Sequence, residues 1–121
     1  MLYTGFSQGA IMGVAIMLRN PGRYPRAVLI EGGGGRWKRD GIAAFARGGG
    51  ERILFACGQA GCRAEANQAV TLLERASIAS RVVYAKGLGH RYDDAVADAV
   101  KASFTWVIEG DDRWGDSSQP P

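Results

Sequence analysis

Short apolar runs alternate along this chain with longer segments in which apolar and polar residues recur at helical spacing. The short runs are typical of buried strands and cover residues 1–4, 26–31, 52–57 and 81–85. The longer segments predict helices over residues 8–19, 40–47, 63–76 and 93–108. Strand and helix thus alternate four times, which predicts an α/β fold: a parallel sheet with helices on both faces.

Local residue patterns set the expected limits of these elements. The first helix ends at Asn20-Pro21-Gly22, and Asp40 is the expected N-cap of the second helix. The apolar face of the first helix is expected to consist of Ala10, Ile11, Val14, Ala15 and Leu18. The glycine runs 32–35 and 48–50 are expected to form flexible loops.

Composition and charge narrow the possible functions. The 121 residues are 46% hydrophobic and 22% charged, which suits one globular domain, expected over residues 1–109 with a disordered tail at 110–121. Residues 1–52 hold eight Lys and Arg against three acids, an asymmetry that would favour an anionic substrate or an acidic partner surface, although a solvated surface explains it as well.

No basic run is interleaved with aromatic residues, so nucleic-acid binding is not expected. The apolar segments are shorter than the ~20 residues of a membrane span.

The two cysteines are too few for a disulfide scaffold. Cys57 ends an apolar strand and is expected to be buried, and a bridge from Cys57 to Cys62 stays open as an alternative. The chain has one histidine and no His pair or His/Cys cluster, so neither a metal site nor a cofactor is expected. The sequence leaves the compartment and the oligomeric state undetermined.

Chemically useful residues follow the predicted strands. Ser7, Glu31, the segment 58–62 and His90 each come shortly after a strand, and the carboxyl ends of parallel strands share one edge of a sheet. Ser7 is the centre of Gly5-Phe6-Ser7-Gln8-Gly9, a G-x-S-x-G pattern between a strand and a helix. This pattern predicts a nucleophile elbow, with a strained serine and glycines on either side because side chains there would not fit.

Residues 2–10 and 87–90 resemble the α/β-hydrolase superfamily, specifically its small bacterial esterase-like and lysophospholipase-like members. In that family the catalytic residues follow the chain order serine, acid, histidine. The resemblance extends from residue 2 to about 109 and matches only strands five to eight of the family fold. It therefore implies a fragment of a longer hydrolase that lacks strands one to four and one oxyanion-hole amide, with the first strand left as an unpaired edge.

The resemblance implies a catalytic set that acts on a small-molecule acyl substrate. Ser7 is the expected nucleophile, His90 the general base, and the Gln8 N–H the remaining oxyanion-hole donor. The family most often places its acid just after the strand that here ends at Cys57, but no aspartate follows there. Glu31, after the preceding strand, is the preferred acid, and Glu65 is the next candidate. Two further acids, Asp93 and Asp94, follow His90 too closely and are expected to cap a helix.

Two other functional classes remain as alternatives. A hydrolase-like scaffold without catalytic activity is one. The other is a dinucleotide-binding module, since Thr4-Gly5-x-x-x-Gly9 resembles the glycine turn of short-chain dehydrogenases and Glu31 follows the next strand. Ile11 occupies the position that needs the third glycine of G-x-G-x-x-G, which weighs against the dinucleotide alternative.

Overall fold

Residues 2–20, 22–84 and 94–110 are described by the computed structural model of the chain, and they form four strands and four α-helices. In chain order these are β1 (Leu2–Phe6), α1 (Gln8–Arg19), β2 (Arg26–Ile30), α2 (Arg39–Arg47), β3 (Arg52–Cys57), α3 (Ala60–Arg75), β4 (Ala79–Tyr84) and α4 (Asp94–Ile108). A 3₁₀ turn, Gly34–Arg36, precedes α2. Every predicted element is present, with bounds that differ by at most three residues.

The four strands pair in sequence order, β1-β2-β3-β4, and every pair is parallel. Phe6 is level with Ile30, Ile30 with Ala56, and Ala56 with Val83. The carboxyl ends of the strands therefore lie along one edge of the sheet. The predicted α/β fold with a parallel sheet is confirmed.

Helices cover both faces of the sheet, because β2 and β3 are apolar on both sides. Alternate residues of these strands pack with α1, α2 and α3, in a core that includes Ala27, Leu29, Ile53 and Phe55. The intervening residues pack with Val100 and Val107 of α4, in a second core that includes Val28, Ile30, Leu54 and Ala56. None of the helices in the described ranges combines the length and the hydropathy needed to cross a membrane.

Helix α1 is rotated relative to the face predicted for it. Its buried residues are Ala10, Gly13, Val14 and Met17. Of the residues predicted to face inward, Ile11 is 36% exposed and Ala15 is also exposed. The reason is Gly13, where a Cβ would overlap the Tyr3 ring; the missing side chain lets β1 approach that side of the helix.

Strand β1 lies at one edge of the sheet that the structure describes, as expected. Large apolar side chains are exposed beside it: Phe6, Ile11, Met12 and Ile16.

One local prediction was wrong. Asp40 is not the N-cap of α2, because the helix begins at Arg39 and Lys38 holds the cap position; Asp40 lies in the first turn, where its charge still complements the helix dipole.

The glycine run 32–35 leads from a loop into the 3₁₀ turn Gly34–Arg36, and its flexibility stays a prediction. A Cβ on Gly34 would lie 2.8 Å from the Ala66 backbone nitrogen, so this segment passes in close contact with α3.

At the amino end of the sheet, arginines bind the carboxyl end of α4. Arg26 is buried, and its Nη1 donates to the carbonyl oxygens of Val107 at 2.8 Å and Glu109 at 2.6 Å, while its Nε pairs with Glu51 at 3.3 Å. Arg52 donates to the carbonyl of Trp106 in the same turn. The last turn of a helix carries unpaired carbonyls and partial negative charge, so these cations fix α4 against the sheet.

We expect Arg26→Lys to lower the free energy of unfolding by about 1.5–3 kcal/mol, because one ammonium cannot reproduce the forked contacts of the buried guanidinium. Urea unfolding followed by circular dichroism measures the change. Arg19→Lys, on the exposed last turn of α1, is the matched control and should change stability by less than about 0.5 kcal/mol. Equal unfolding midpoints for the two variants would contradict the role of Arg26.

Candidate active site

Ser7 occupies the turn between β1 and α1 in a strained backbone conformation. Its φ is 55° and its ψ is −115°, which lies outside the left-handed helical minimum that non-glycine residues sometimes adopt. The turn is held by the Ser7 N–H, which donates to the Ile30 carbonyl at 2.8 Å, and by the Ser7 carbonyl, which accepts from the Ala10 N–H at 3.0 Å. The strained serine that the G-x-S-x-G pattern predicts is therefore present.

The two glycines of the pattern have different roles. A Cβ on Gly5 would lie 2.6 Å from the Gly9 carbonyl oxygen and 2.8 Å from the Ala10 nitrogen, both backbone atoms that cannot swing aside. A Cβ on Gly9 would meet no atom within 4 Å. The prediction that both glycines are needed for space is confirmed for Gly5 and wrong for Gly9, because Gly9 turns its missing side chain outward.

Glu31 follows β2 at the same level of the sheet as Ser7 follows β1, since Phe6 and Ile30 are paired. The glutamate is 4% exposed and has a φ of 54°, so it is both buried and in an unfavourable backbone region. The Gly58 N–H donates to Glu31 Oε1, and the Glu31 N–H donates to the Ala56 carbonyl at 2.8 Å. The carboxylate is thus fixed from the loop that follows the neighbouring strand β3.

A disulfide crosslinks that loop. Cys57 ends β3, Cys62 lies in the first turn of α3, and the two are bonded with their Cα atoms 5.6 Å apart. Cys57 is buried, as predicted. The bridge that the sequence left open is present, and it encloses Gly58, the residue that donates to Glu31.

An open pocket of about 740 Å³ adjoins Glu31 and Cys62. Its walls bear charges of both signs, from Glu31, Arg36, Lys38 and Glu65, and Cys62 and Ile11 also contribute. Ile11 lies one helical turn beyond Ser7. Trp37 is 2% exposed and packs edge-on against Phe45 with ring centroids 5.3 Å apart, so it belongs to the core and not to the pocket wall.

The structure brings some of the predicted residues together. Ser7, Gln8 and Glu31 lie at the carboxyl edge of β1 and β2, where Gln8 is the first residue of α1. Glu65 is exposed on α3, and Asp94 begins α4. His90 and Asp93 lie outside the described residues, as do residues 111–121 of the predicted tail.

One group of side chains was missed by sequence reasoning. A carboxylate oxygen of Glu31 and the sulfur atoms of Cys57 and Cys62 all lie within 4.8 Å of one another. The missed signal was the alignment of strand ends: Ile30 pairs with Ala56, so Glu31 and Cys57 follow at the same level. Among the described residues the group contains no histidine, so a pattern of histidines and cysteines along the sequence does not reveal it.

Comparison of this sequence with protein-family models, with curated proteins and with solved structures finds no match. The family resemblance of the motif residues therefore has no support from these comparisons.

The two glycines give a matched test of the elbow geometry. We expect Gly5→Ala to lower the free energy of unfolding by about 1–3 kcal/mol, since backbone must shift to admit the methyl group. Gly9→Ala should leave stability unchanged or raise it by up to about 1 kcal/mol, because alanine is the better helix former and the space is open. Urea unfolding measures both. Destabilisation of similar size in the two variants would show that the elbow is not packed as described.

Proposed function

We propose that this chain is a serine hydrolase that acts on carboxylic esters or related acyl compounds. The observation that carries the proposal is the conformation of Ser7, with a φ of 55° and a ψ of −115° at a strand-to-helix turn. Strain of this kind persists only where the surrounding structure enforces it, and it exposes a serine hydroxyl for reaction.

In the proposed mechanism the Ser7 hydroxyl oxygen attacks the substrate carbonyl while His90 accepts the hydroxyl proton. The negative charge that develops on the carbonyl oxygen is stabilised by the Gln8 N–H, one of the first amides of α1, which have no partner within the helix. His90 then donates its proton to the departing alcohol or amine, leaving an acyl-enzyme. Water, activated by the same imidazole, releases the acid and regenerates Ser7.

Glu31 is the proposed acid that orients the His90 imidazole. Its burial and its bond from the Gly58 N–H support this role, because a carboxylate that holds a base must itself be held. Glu65 is less suited, since it is exposed on α3.

The segment from Tyr84 to His90 is long enough for His90 to reach Ser7. Cys57 pairs with Tyr84, so Tyr84 ends β4 at the level of Ser7 but three strands away. Three strand spacings amount to about 14 Å, and the six residues from Tyr84 to His90 can span roughly 20 Å when extended.

The resemblance to the carboxyl-terminal half of α/β-hydrolases supports the same residues, and the all-parallel sheet is consistent with it. In that family a second oxyanion-hole amide comes from a part of the fold that this sequence does not match.

We expect a fluorophosphonate probe to label the chain on Ser7, because such probes phosphonylate activated serines. Peptide mass spectrometry locates the label, and Ser7→Ala should abolish it. Ser77→Ala is the control, since Ser77 also has a positive φ, of 63°, but lies between α3 and the start of β4, away from the carboxyl ends of the strands. A folded chain that stays unlabelled would contradict the proposal and favour the non-catalytic scaffold.

The role of Glu31 has its own test. Glu31→Gln keeps an oxygen for the Gly58 N–H but removes the charge, and we expect kcat for a p-nitrophenyl ester to fall by up to about 10⁴-fold. Glu65→Gln, which changes another carboxylate of the same pocket, should leave kcat within about twofold, as expected for an exposed side chain with no role in the reaction. A large loss in Glu65→Gln with little change in Glu31→Gln would assign the acid to Glu65.

A further inference from the structure

We propose that, once the Cys57–Cys62 disulfide is reduced, the two thiolates and the Glu31 carboxylate bind one zinc-type divalent metal ion. The three ligand atoms already lie within 4.8 Å of one another. Thiolate and carboxylate are both established ligands of zinc. This proposal does not depend on hydrolase activity, since it uses neither Ser7 nor His90.

The separations suit a tetrahedral ion. With zinc–sulfur bonds of about 2.3 Å and zinc–oxygen bonds of about 2.0 Å, ligand atoms around zinc are roughly 3.5–3.8 Å apart. The sulfur atoms, which are bonded to each other in the disulfide, move apart to that distance by rotation of their side chains. Their Cα atoms, 5.6 Å apart, do not need to move far.

The ligands are supplied by rigid parts of the fold. Cys57 is the last residue of β3, Glu31 directly follows β2, and Cys62 lies in the first turn of α3. The Gly58 N–H bond to Glu31 fixes the carboxylate in the way that outer hydrogen bonds commonly orient metal ligands. Ligands held in this way lose little conformational entropy when the ion binds.

The pocket offers access and charge balance. Glu31 and Cys62 line it, so an ion has a path from solvent to two of the three ligands. Two thiolates and one carboxylate around a divalent ion leave a net charge of about −1, and the cations Arg36 and Lys38 line the same pocket. Three protein ligands leave a fourth tetrahedral position for water.

The chemistry balances with a dithiol as reductant. Dithiothreitol supplies two electrons and two protons to the Cys57–Cys62 bond and becomes a cyclic disulfide. Binding of the metal ion then displaces the two thiol protons into the buffer. Cysteine pairs in reducing compartments commonly serve as metal ligands, which is consistent with a site that forms only after reduction.

Cobalt(II) is the probe, because thiolate coordination gives it strong near-ultraviolet charge-transfer absorption. The full chain is reduced with dithiothreitol, desalted without oxygen and titrated with Co²⁺. We expect the band to saturate at one equivalent, to disappear on addition of Zn²⁺, and to be absent from the oxidised protein.

Glu31→Gln should weaken Co²⁺ binding by at least about tenfold, and Cys62→Ser should remove the one-equivalent saturation. Glu65→Gln, from the same pocket, should bind as the unmodified chain does.

Several results would overturn the proposal: no band after reduction, saturation at half an equivalent, which indicates a site shared by two chains, or unchanged affinity in Glu31→Gln. If reduction alone unfolds the chain, one equivalent of Zn²⁺ should restore its far-ultraviolet circular dichroism, and failure to do so also overturns it. Fluorophosphonate labelling of the oxidised chain reports on the hydrolase proposal separately, so that the two proposals can fail independently.

Discussion

The candidate site depends on the register of three parallel strands, which are paired with one another near their carboxyl ends. Phe6, Ile30 and Ala56 are paired across the sheet, so Ser7, Glu31 and Cys57 emerge side by side at its carboxyl edge. A shift of β2 by one residue would turn its two apolar faces over and move Glu31 away from Ser7. Val28 and Leu29 are buried on opposite faces of the sheet, in different cores. The packing of these side chains therefore fixes the register of β2, and the register in turn decides which residues meet at the site.

The carboxyl end of the sheet contains strained residues, whereas the amino end contains stabilising hydrogen bonds. The carboxyl end holds Ser7 and Glu31 at positive φ, each of which costs about 1–3 kcal/mol. The amino end holds the buried Arg26 with its charged hydrogen bonds to the last turn of α4, each worth about 1.5–3 kcal/mol. Strain at a site can persist only where the rest of the fold outweighs it, and the arginine contacts lie at the end of the sheet where they do not obstruct the pocket.

The fold could be predicted from the sequence because the period of apolar residues is a local signal, and the strained Ser7 could be predicted because its motif spans five adjacent residues. Other features needed three-dimensional packing. Gly34 is required by its close approach to Ala66 of α3, more than 30 residues further along the chain, and nothing beside Gly34 in the sequence indicates that contact. The grouping of Glu31 with Cys57 depends on strand register, and strand register is not visible in either strand alone.

Glu31 is shared by the two proposals, which make competing demands on its electron pairs. A carboxylate that orients an imidazole offers an electron pair to a ring N–H, whereas a carboxylate bound to a metal ion has given a pair to the ion and is a weaker acceptor. While Cys57 and Cys62 are bonded to each other, neither sulfur is a thiolate, so the metal loses two of its three ligands and Glu31 is left to the imidazole. If both proposals hold, formation of the disulfide releases Glu31 from the metal ion, and the oxidised chain is one form in which the carboxylate serves the imidazole.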